Sequence, residues 1–316
     1  MSDLANPIFQ DADKAREWLE ARLWANGPIC PRCGVVDQAT LMQGKSHRPG
    51  LYQCNACREP FTVTVGTLYE RSKVPLNKWL AATHLMMASK KGMSALQVGR
   101  LLGLSKKTAW FLCHRIRESL RPRADAPKMG GGGKTVEADE TYVGGKEKNK
   151  HRSKRNADNI GSVGKEVVFS LVERGGRVVS HHIPRVNAKT LRPILNEQLA
   201  DAAKTKLMTD GEGQYRLVAD MMESHETVNH GIGEYVRGNV HTNTIEGYFS
   251  ILKRGITGTY HHVSGQHLKR YLAEFDYRYN ERAKLGVSDS KRMAKSVSGI
   301  VGRRLTYRRN GGRTEA

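Results

Sequence analysis

Apolar and polar positions alternate from Lys134 onward, through Thr135-Val136-Glu137-Ala138-Asp139 and then Thr141-Tyr142-Val143, and this period of two predicts strand. Two further β-rich runs, Glu166 to Leu171 and Arg177 to Ile183, are joined at Arg174-Gly175-Gly176, a hairpin turn by its composition. Ala188 to Leu199 shifts to a helical period. Lys206-Leu207-Met208-Thr209 is a short strand ending at Asp210, and Thr242 to Leu252 is helical again. Leu268, Tyr271, Leu272, Phe275 and Tyr279 recur at helical spacing and form a stripe expected in the core.

The first part of the chain is patterned differently. Tyr52, Phe61, Val63 and Val65 alternate as the strands of a small ribbon would, and Pro75 to Ala88 has helical periodicity. Ser94 precedes an apolar helix carrying Ala95, Leu96, Val98, Leu101 and Leu102. Gly103 breaks it, and Ser105 caps another helix with Ala109, Leu112, Cys113, Ile116 and Leu120 on one face. Two short helices, each started by a capping serine and separated by a Gly-containing turn, predict a helix-turn-helix. A plain helical hairpin between domains would share this pattern. Pro122 to Gly133 ends in four consecutive glycines and is expected to be a linker.

Cys30-Pro31-Arg32-Cys33 and Cys54-Asn55-Ala56-Cys57 are two CxxC knuckles with 20 residues between the inner cysteines. The spacing predicts a ribbon holding one structural Zn²⁺ on Cys30, Cys33, Cys54 and Cys57, since four thiolates close the tetrahedron. Two disulfides are the other use of four cysteines, disfavoured in a reducing compartment. Cys113 lies outside the set and is expected in the core.

Charge narrows the partner. The formal net charge is +21 over 316 residues, which favours a polyanion through counterion release. From Arg71 to Arg117 there are ten Lys/Arg and no Asp or Glu, which favours DNA over a plain hairpin. Lys106, Lys107 and Thr108, at the start of the second helix of the pair, are the residues such a unit directs into the major groove. Lys146, Lys148, Lys150 and Arg152, with Lys154 and Arg155, make a basic loop after the first strand, and Lys291 to Arg313 holds eight Lys/Arg without an acid. The loop is expected to grip DNA and the tail to be a flexible phosphate-binding arm. No apolar run approaches the ~18 residues of a membrane span, and Met1 to Gln10 lacks the pattern of a secretory signal. An intracellular protein is expected.

Asp139 ends the first strand's run, Asp210 ends the later one, and Glu246 follows Asp210 with 35 residues between, near the start of a helix. Carboxylates delivered this way suit a two-metal phosphoryl-transfer site, because acidic oxygens bind hard divalent cations such as Mg²⁺. Lys253, two helical turns beyond Glu246, lies on nearly the same face and is placed to hold a phosphate. Asn243 lies one turn ahead of Glu246. The order strand, strand, strand, helix, strand, helix is that of a ribonuclease-H-like domain.

The expected fold class is therefore α+β and multidomain. It comprises an N-terminal helix (1–25), a zinc ribbon (26–70), a helix-turn-helix DNA-binding domain (71–121), a linker (122–133), a ribonuclease-H-like α/β catalytic domain (134–285) and a basic C-terminal tail (286–316).

The ribbon, Glu137 to Lys146, Thr209-Asp210-Gly211 and His241 to Arg254 together resemble the DDE insertion-sequence transposases with an N-terminal zinc ribbon, the ISXO-like group. Gly258-Thr259-Tyr260-His261-His262 and Arg278-Tyr279-Asn280 extend the resemblance, which spans about residues 15 to 285. It implies a bacterial, cytoplasmic, nucleoid-associated enzyme that binds the terminal inverted repeats of its element, cleaves them and joins them to target DNA. Asp139, Asp210 and Glu246 would hold two Mg²⁺, for which Mn²⁺ could substitute, with Lys253 beside them. A homodimer or higher oligomer on double-stranded DNA is expected. Some relatives use asparagine as third member, which keeps Asn243 open. Two other classes stay open. One is a non-catalytic DNA-binding regulator. The other is a tyrosine recombinase using His267-x-x-Arg270 with Tyr271, Tyr277, Tyr279 or Tyr307.

Overall fold

The computed structural model describes residues 3–306 apart from 146, 157, 159, 160 and 212. Lys146, Tyr307 and the end of the basic tail lie outside the described residues, as does the side chain of Lys154. The chain divides into two units, one formed by Met1–Arg121 with Ala283–Ala316, the other by Pro122–Arg282.

In the first unit, helix α1 (Ala12–Leu23) starts at Asp11, whose carboxylate accepts the amides of Asp13 and Lys14 at 2.7 and 2.9 Å. Short antiparallel strands β1 (Ala39–Leu41), β2 (Tyr52–Cys54) and β3 (Pro60–Phe61) follow, packed around Cys30, Cys54 and Phe61. Helix α2 (Leu76–Ala88) buries Trp79, Leu80, Met86 and Met87. Helix α3 (Ala95–Leu102) is capped by Ser94, whose hydroxyl accepts the Gln97 amide at 3.2 Å, and it stops at Gly103 with φ 62°. That left-handed conformation suits glycine, which has no Cβ to clash. Helix α4 (Lys106–Ser119) begins after Ser105, whose hydroxyl accepts the Thr108 amide at 3.2 Å. Its buried face holds Ala109, Leu112, Cys113 and Ile116. The expected apolar face of α3 is divided: Val98 is buried, whereas Leu96 and Leu101 are 54% and 58% exposed.

The second unit is built on a five-stranded sheet. Its strands are β4 (Lys134–Val143), β5 (Glu166–Glu173), β6 (Val178–Ile183), β7 (Thr205–Asp210) and β8 (Ser224–Val228), in spatial order β6-β5-β4-β7-β8. The first three pair antiparallel and the last two join parallel. Helix α5 (Ala188–Gln198) lies between β6 and β7 in the chain. The strand period of two sends alternate residues to opposite faces. Val136, Ala138, Phe169, Leu171 and Leu207 pack with Leu191 and Leu195 of α5. The opposite face carries Val143, Val168, Val172 and Val178. These pack against helices α6 (Asn243–Gly255) and α7 (Gly265–Asn280). A two-stranded ribbon, β9 (Val236–Arg237) with β10 (Val240–His241), leads into α6. The stripe Leu268, Leu272 and Phe275 is in this core, with Tyr271 and Tyr279 against it, as its spacing predicts.

The chain then returns to the first unit with helix α8 (Asp289–Ser298). Two expected boundaries shift. The tail begins no earlier than Gly302: Met293, Val297 and Ile300 are buried, the Leu68 amide donates to Ile300 O at 3.0 Å, and Gly302 N to Gly66 O at 2.9 Å. Spacing, not net charge, decided this segment, because its apolar residues recur on one helical face between the cations. Nor is Met129–Gly133 a linker. Met129 is buried and bridges to Leu199, while the Gly130 and Gly131 amides donate to Glu173 and Thr205 at 2.8 Å. A Cβ on Gly130, at φ +74°, would meet Thr205 Oγ1 at 2.5 Å, so glycine is required for that approach. The segments expected as separate 26–70 and 71–121 domains belong to one unit.

Candidate active site and metal centres

The two cysteine knuckles are built alike. The Cys30 amide donates to Val35 O and the Gly34 amide to Cys30 O. In the second knuckle the Cys54 amide donates to Glu59 O and the Arg58 amide to Cys54 O. Gly34 and Arg58, each just after a knuckle, both have positive φ, 75° and 63°. The tight turns bring all four Sγ atoms within 4.8 Å of one another, with Cys30–Cys57 and Cys33–Cys54 at 3.6 Å. A tetrahedron with Zn–S of about 2.3 Å has edges of about 3.8 Å. A disulfide needs about 2.05 Å, and all the cysteines are free. The site is therefore able to take one zinc, with no position left open for chemistry. Cys113 is buried and apart from it.

The carboxylates come from three elements. Glu137 of β4 registers with Met208 of β7 in the parallel pair. Asp139 and Asp210 each lie two residues further on, so both project from the sheet face that α6 covers. Glu246, in the first turn of α6, is 45% exposed at its side chain. Burial, reinforced by the negative charges of Asp210, Glu140 and Glu246, pushes the Asp139 carboxyl up to about 8, even though the Glu140 amide donates to it at 2.7 Å. A buried acid crowded by other carboxylates is a setting that a divalent cation relieves. The carboxylates do not close as tightly as the thiols. Among the described residues only the four cysteines form a metal-ligating group within 4.8 Å.

Around Glu246, the Thr242 hydroxyl donates to Oε1 at 3.0 Å and His230 Nε2 stands 3.6 Å from the same oxygen. His230 stacks on exposed Tyr235 with ring centroids 5.0 Å apart. Asn243, the first residue of α6, and Lys253, in its last turn, are both exposed. Glu140 faces away from Asp139 and accepts a hydrogen bond from the buried Tyr215 hydroxyl. Glu137 is fully buried and bound to the start of α6, a relation no local pattern discloses. An acid at a strand position where both faces are covered was the available signal.

Lys148, Lys150 and Arg152 are exposed in a segment folded on itself. Lys150 pairs with Glu147, and Arg155 donates to Lys148 O and Lys150 O. In the first unit, Lys106 and Lys107 are exposed at the start of α4, and Thr108 is half-buried. Beside them a cavity of about 300 Å³ is lined by Arg71, Lys73, Lys107, Thr108 and Arg115, with no acid in its wall. The Arg115 guanidinium lies over Trp79 and Phe111 at 5.3 and 5.5 Å. These cations belong to the first unit and the carboxylates to the second. His267 and Arg270 meet at 3.3 Å on α7, whose Tyr271 and Tyr279 pack on the core.

Asp139 and Asp210 thus lie on one face of a mixed sheet, in a chain that also carries four clustered cysteines. Residues 130–280 match the family model of the ISXO2-like transposase domain, and residues 10–59 match that of the transposase zinc-ribbon domain. Over 284 residues the chain is 32% identical to "Uncharacterized protein in transposable element ISH50" of Halobacterium salinarum, covering 85% of this chain and 91% of that protein. The chain belongs to the ISXO2-like family of DDE insertion-sequence transposases, with its zinc-ribbon domain. Membership implies DNA as partner. Among the described residues no helix is long and apolar enough to cross a membrane.

Proposed function

We propose that this protein binds the terminal inverted repeats of its own element and carries out metal-dependent strand cleavage followed by strand transfer into target DNA. The observation that carries the reading is that β4 and β7 bring Asp139 and Asp210 to one sheet face, with Glu246 in the first turn of the helix that covers it; burial and the neighbouring acids push the Asp139 carboxyl up to about 8. The sheet order, with three antiparallel strands followed by two parallel ones, supports a ribonuclease-H-like catalytic domain. Helices α3 and α4, with the Gly103 turn and the cation-lined cavity, support a helix-turn-helix that grips the DNA backbone.

Asp139, Asp210 and Glu246 would hold two Mg²⁺. When bound, the ions supply Lewis acidity to the attacking and leaving oxygens of an in-line displacement. In the first step a water oxygen bonds to the phosphorus at the element's end and the 3′-oxygen leaves as a hydroxyl. In the second, that 3′-oxygen attacks a target phosphodiester, its proton passes to solvent, and a target 3′-hydroxyl is released. Lys253 holds a phosphate near the cleavage point, and Lys148, Lys150 and Arg152 hold the flanking backbone. Cleavage of a labelled terminal-repeat duplex with Mg²⁺, and its loss in EDTA, is the direct test. Cutting in EDTA, or a tyrosine–DNA adduct, would remove the DDE reading of the site.

A further inference from the structure

Glu137 stands two residues before Asp139 on the same face of β4 and is 0% exposed. Its carboxylate meets four donors. Oε1 accepts from Arg174 Nε at 2.7 Å and from the Thr244 hydroxyl at 2.8 Å, and Oε2 accepts the amides of Thr244 and Ile245 at 2.8 and 2.9 Å. A carboxylate has about four lone-pair sites, so this one is fully used.

Three of those donors belong to the first turn of α6, and two of the three are amides, which there have no partner within the helix. The ordinary partner would be the residue at the N-cap, Thr242, but its side chain makes no cap. Its hydroxyl donates instead to Glu246 Oε1 at 3.0 Å. Arg174 braces the approach to the same helix, donating to Asn239 O and His241 O at 2.7 Å.

From these contacts we propose that Glu137 is a positioning residue for Glu246. It caps α6 from the sheet, fixes the start of that helix beside Asp139, and leaves the Thr242 hydroxyl to orient the Glu246 carboxylate. The proposal rests on reading Glu246 as the third metal-holding acid. Without the cap from β4, Thr242 takes up the usual task of a threonine at a helix start and bonds its own helix amides. Glu246 then loses its donor. A glutamine at 137 keeps the volume but turns an amide NH₂ toward donors, so the set of four cannot be met. It also removes the negative charge that a helix N-terminus favours.

The test is Mn²⁺ binding to the full-length, zinc-loaded chain, followed by electron paramagnetic resonance. The variants are Glu137→Gln, Thr242→Val, Glu246→Gln and each of the first two combined with the third. Groups outside the ligand set that orient a ligand change metal affinity by about 10- to 100-fold. Glu137→Gln and Thr242→Val should each weaken Mn²⁺ binding by about tenfold or more, with duplex-DNA binding and zinc content unchanged. Neither should weaken it further in the Glu246→Gln background. A full further loss there, or unchanged Mn²⁺ binding in both single variants, would overturn the proposal. Wild-type Mn²⁺ binding by Glu246→Gln itself would instead overturn the three-acid reading, and the role of Glu137 with it. Thr242→Val keeps the side-chain shape, so it carries the same test should Glu137→Gln fail to fold.

Discussion

Asp139 and Asp210 stand two residues beyond Glu137 and Met208, the last register pair between the parallel strands β4 and β7. A one-residue slip of β7 would turn Asp210 to the face where α5 packs and separate the two acids. Their proximity is what burial converts into a chemical property: the Asp139 carboxyl rises to about 8.

That value has a signed consequence. The folded-state pKa lies above the ordinary 3.8, so the metal-free fold holds a proton that the unfolded chain releases. Stability contributed by this group is present below about pH 4 and is lost as pH rises through about 8. Asp139→Asn should therefore raise the melting temperature of metal-free protein by several degrees at pH 8 and by little at pH 4, given about 2–4 °C per kcal/mol for domains of this size. Mn²⁺ binding by the parent should weaken by roughly tenfold per unit of pH below 8, because one proton must leave. Thermal scans and metal titrations across pH 5–9 check both. An asparagine variant less stable than the parent at pH 8 would show that Asp139 is not held neutral.

Amide substitutions separate the acids from their neighbours. Asp139→Asn, Asp210→Asn and Glu246→Gln should each lower cleavage and joining by a factor of at least 10³, since several kcal/mol of charge stabilisation is removed and each 1.36 kcal/mol is about tenfold. Duplex binding should hardly change. Asn243→Ala should be mild, within about tenfold. Single-turnover cleavage of a terminal-repeat duplex decides it. An active Glu246→Gln with a dead Asn243→Ala would move the third position to Asn243.

Zinc removal should act on one unit alone. The purified chain should contain one zinc, and Cys30→Ser should abolish it, melt the small core of Cys54 and Phe61, and weaken DNA binding. The sheet unit should keep its own melting transition, because the ribbon belongs to the other unit. Calorimetry with metal analysis reads both quantities. A zinc-free parent would return the thiols to another use.

Much of this was legible locally. The period of two in Thr135 to Val143 and the helical period in Thr242 to Leu252 report which faces are buried, and cysteine spacing reports a closed tetrahedron. Strand β8, Ser224-His225-Glu226-Thr227-Val228, was not legible: at the sheet edge it buries little beyond Val228, so no apolar alternation marks it. Glu137 was hidden for another reason. Its partners Arg174, Thr244 and Ile245 lie 37, 107 and 108 residues away, beyond any local pattern. Arg292 misled by charge. It sits 6% exposed, donating to Met87 O at 2.8 Å and pairing with Asp289, and so helps bind α8 to the first unit rather than serving as a free phosphate ligand.

The cations of the first unit divide by the same criterion, and a salt titration distinguishes them. Lys106 and Lys107 are exposed at the start of α4, where a phosphate can approach without moving the fold. Arg115 also lines the neighbouring cavity, but it donates to Glu70 O at 2.7 Å and lies over two aromatic rings, so its loss damages packing first. Each phosphate neutralised adds about 0.9 to the slope of log affinity against log salt. Lys106→Gln with Lys107→Gln should lower affinity for duplex DNA and flatten that slope by roughly 1–2, at an unchanged melting temperature. Arg115→Gln should lower the melting temperature instead, by several degrees. Fluorescence anisotropy of the full chain between 50 and 300 mM salt, without Mg²⁺, gives the slopes. If the lysine pair leaves the slope unaltered while affinity is lost by Lys148→Gln or Arg152→Gln, the DNA backbone lies against the sheet unit and not against α4.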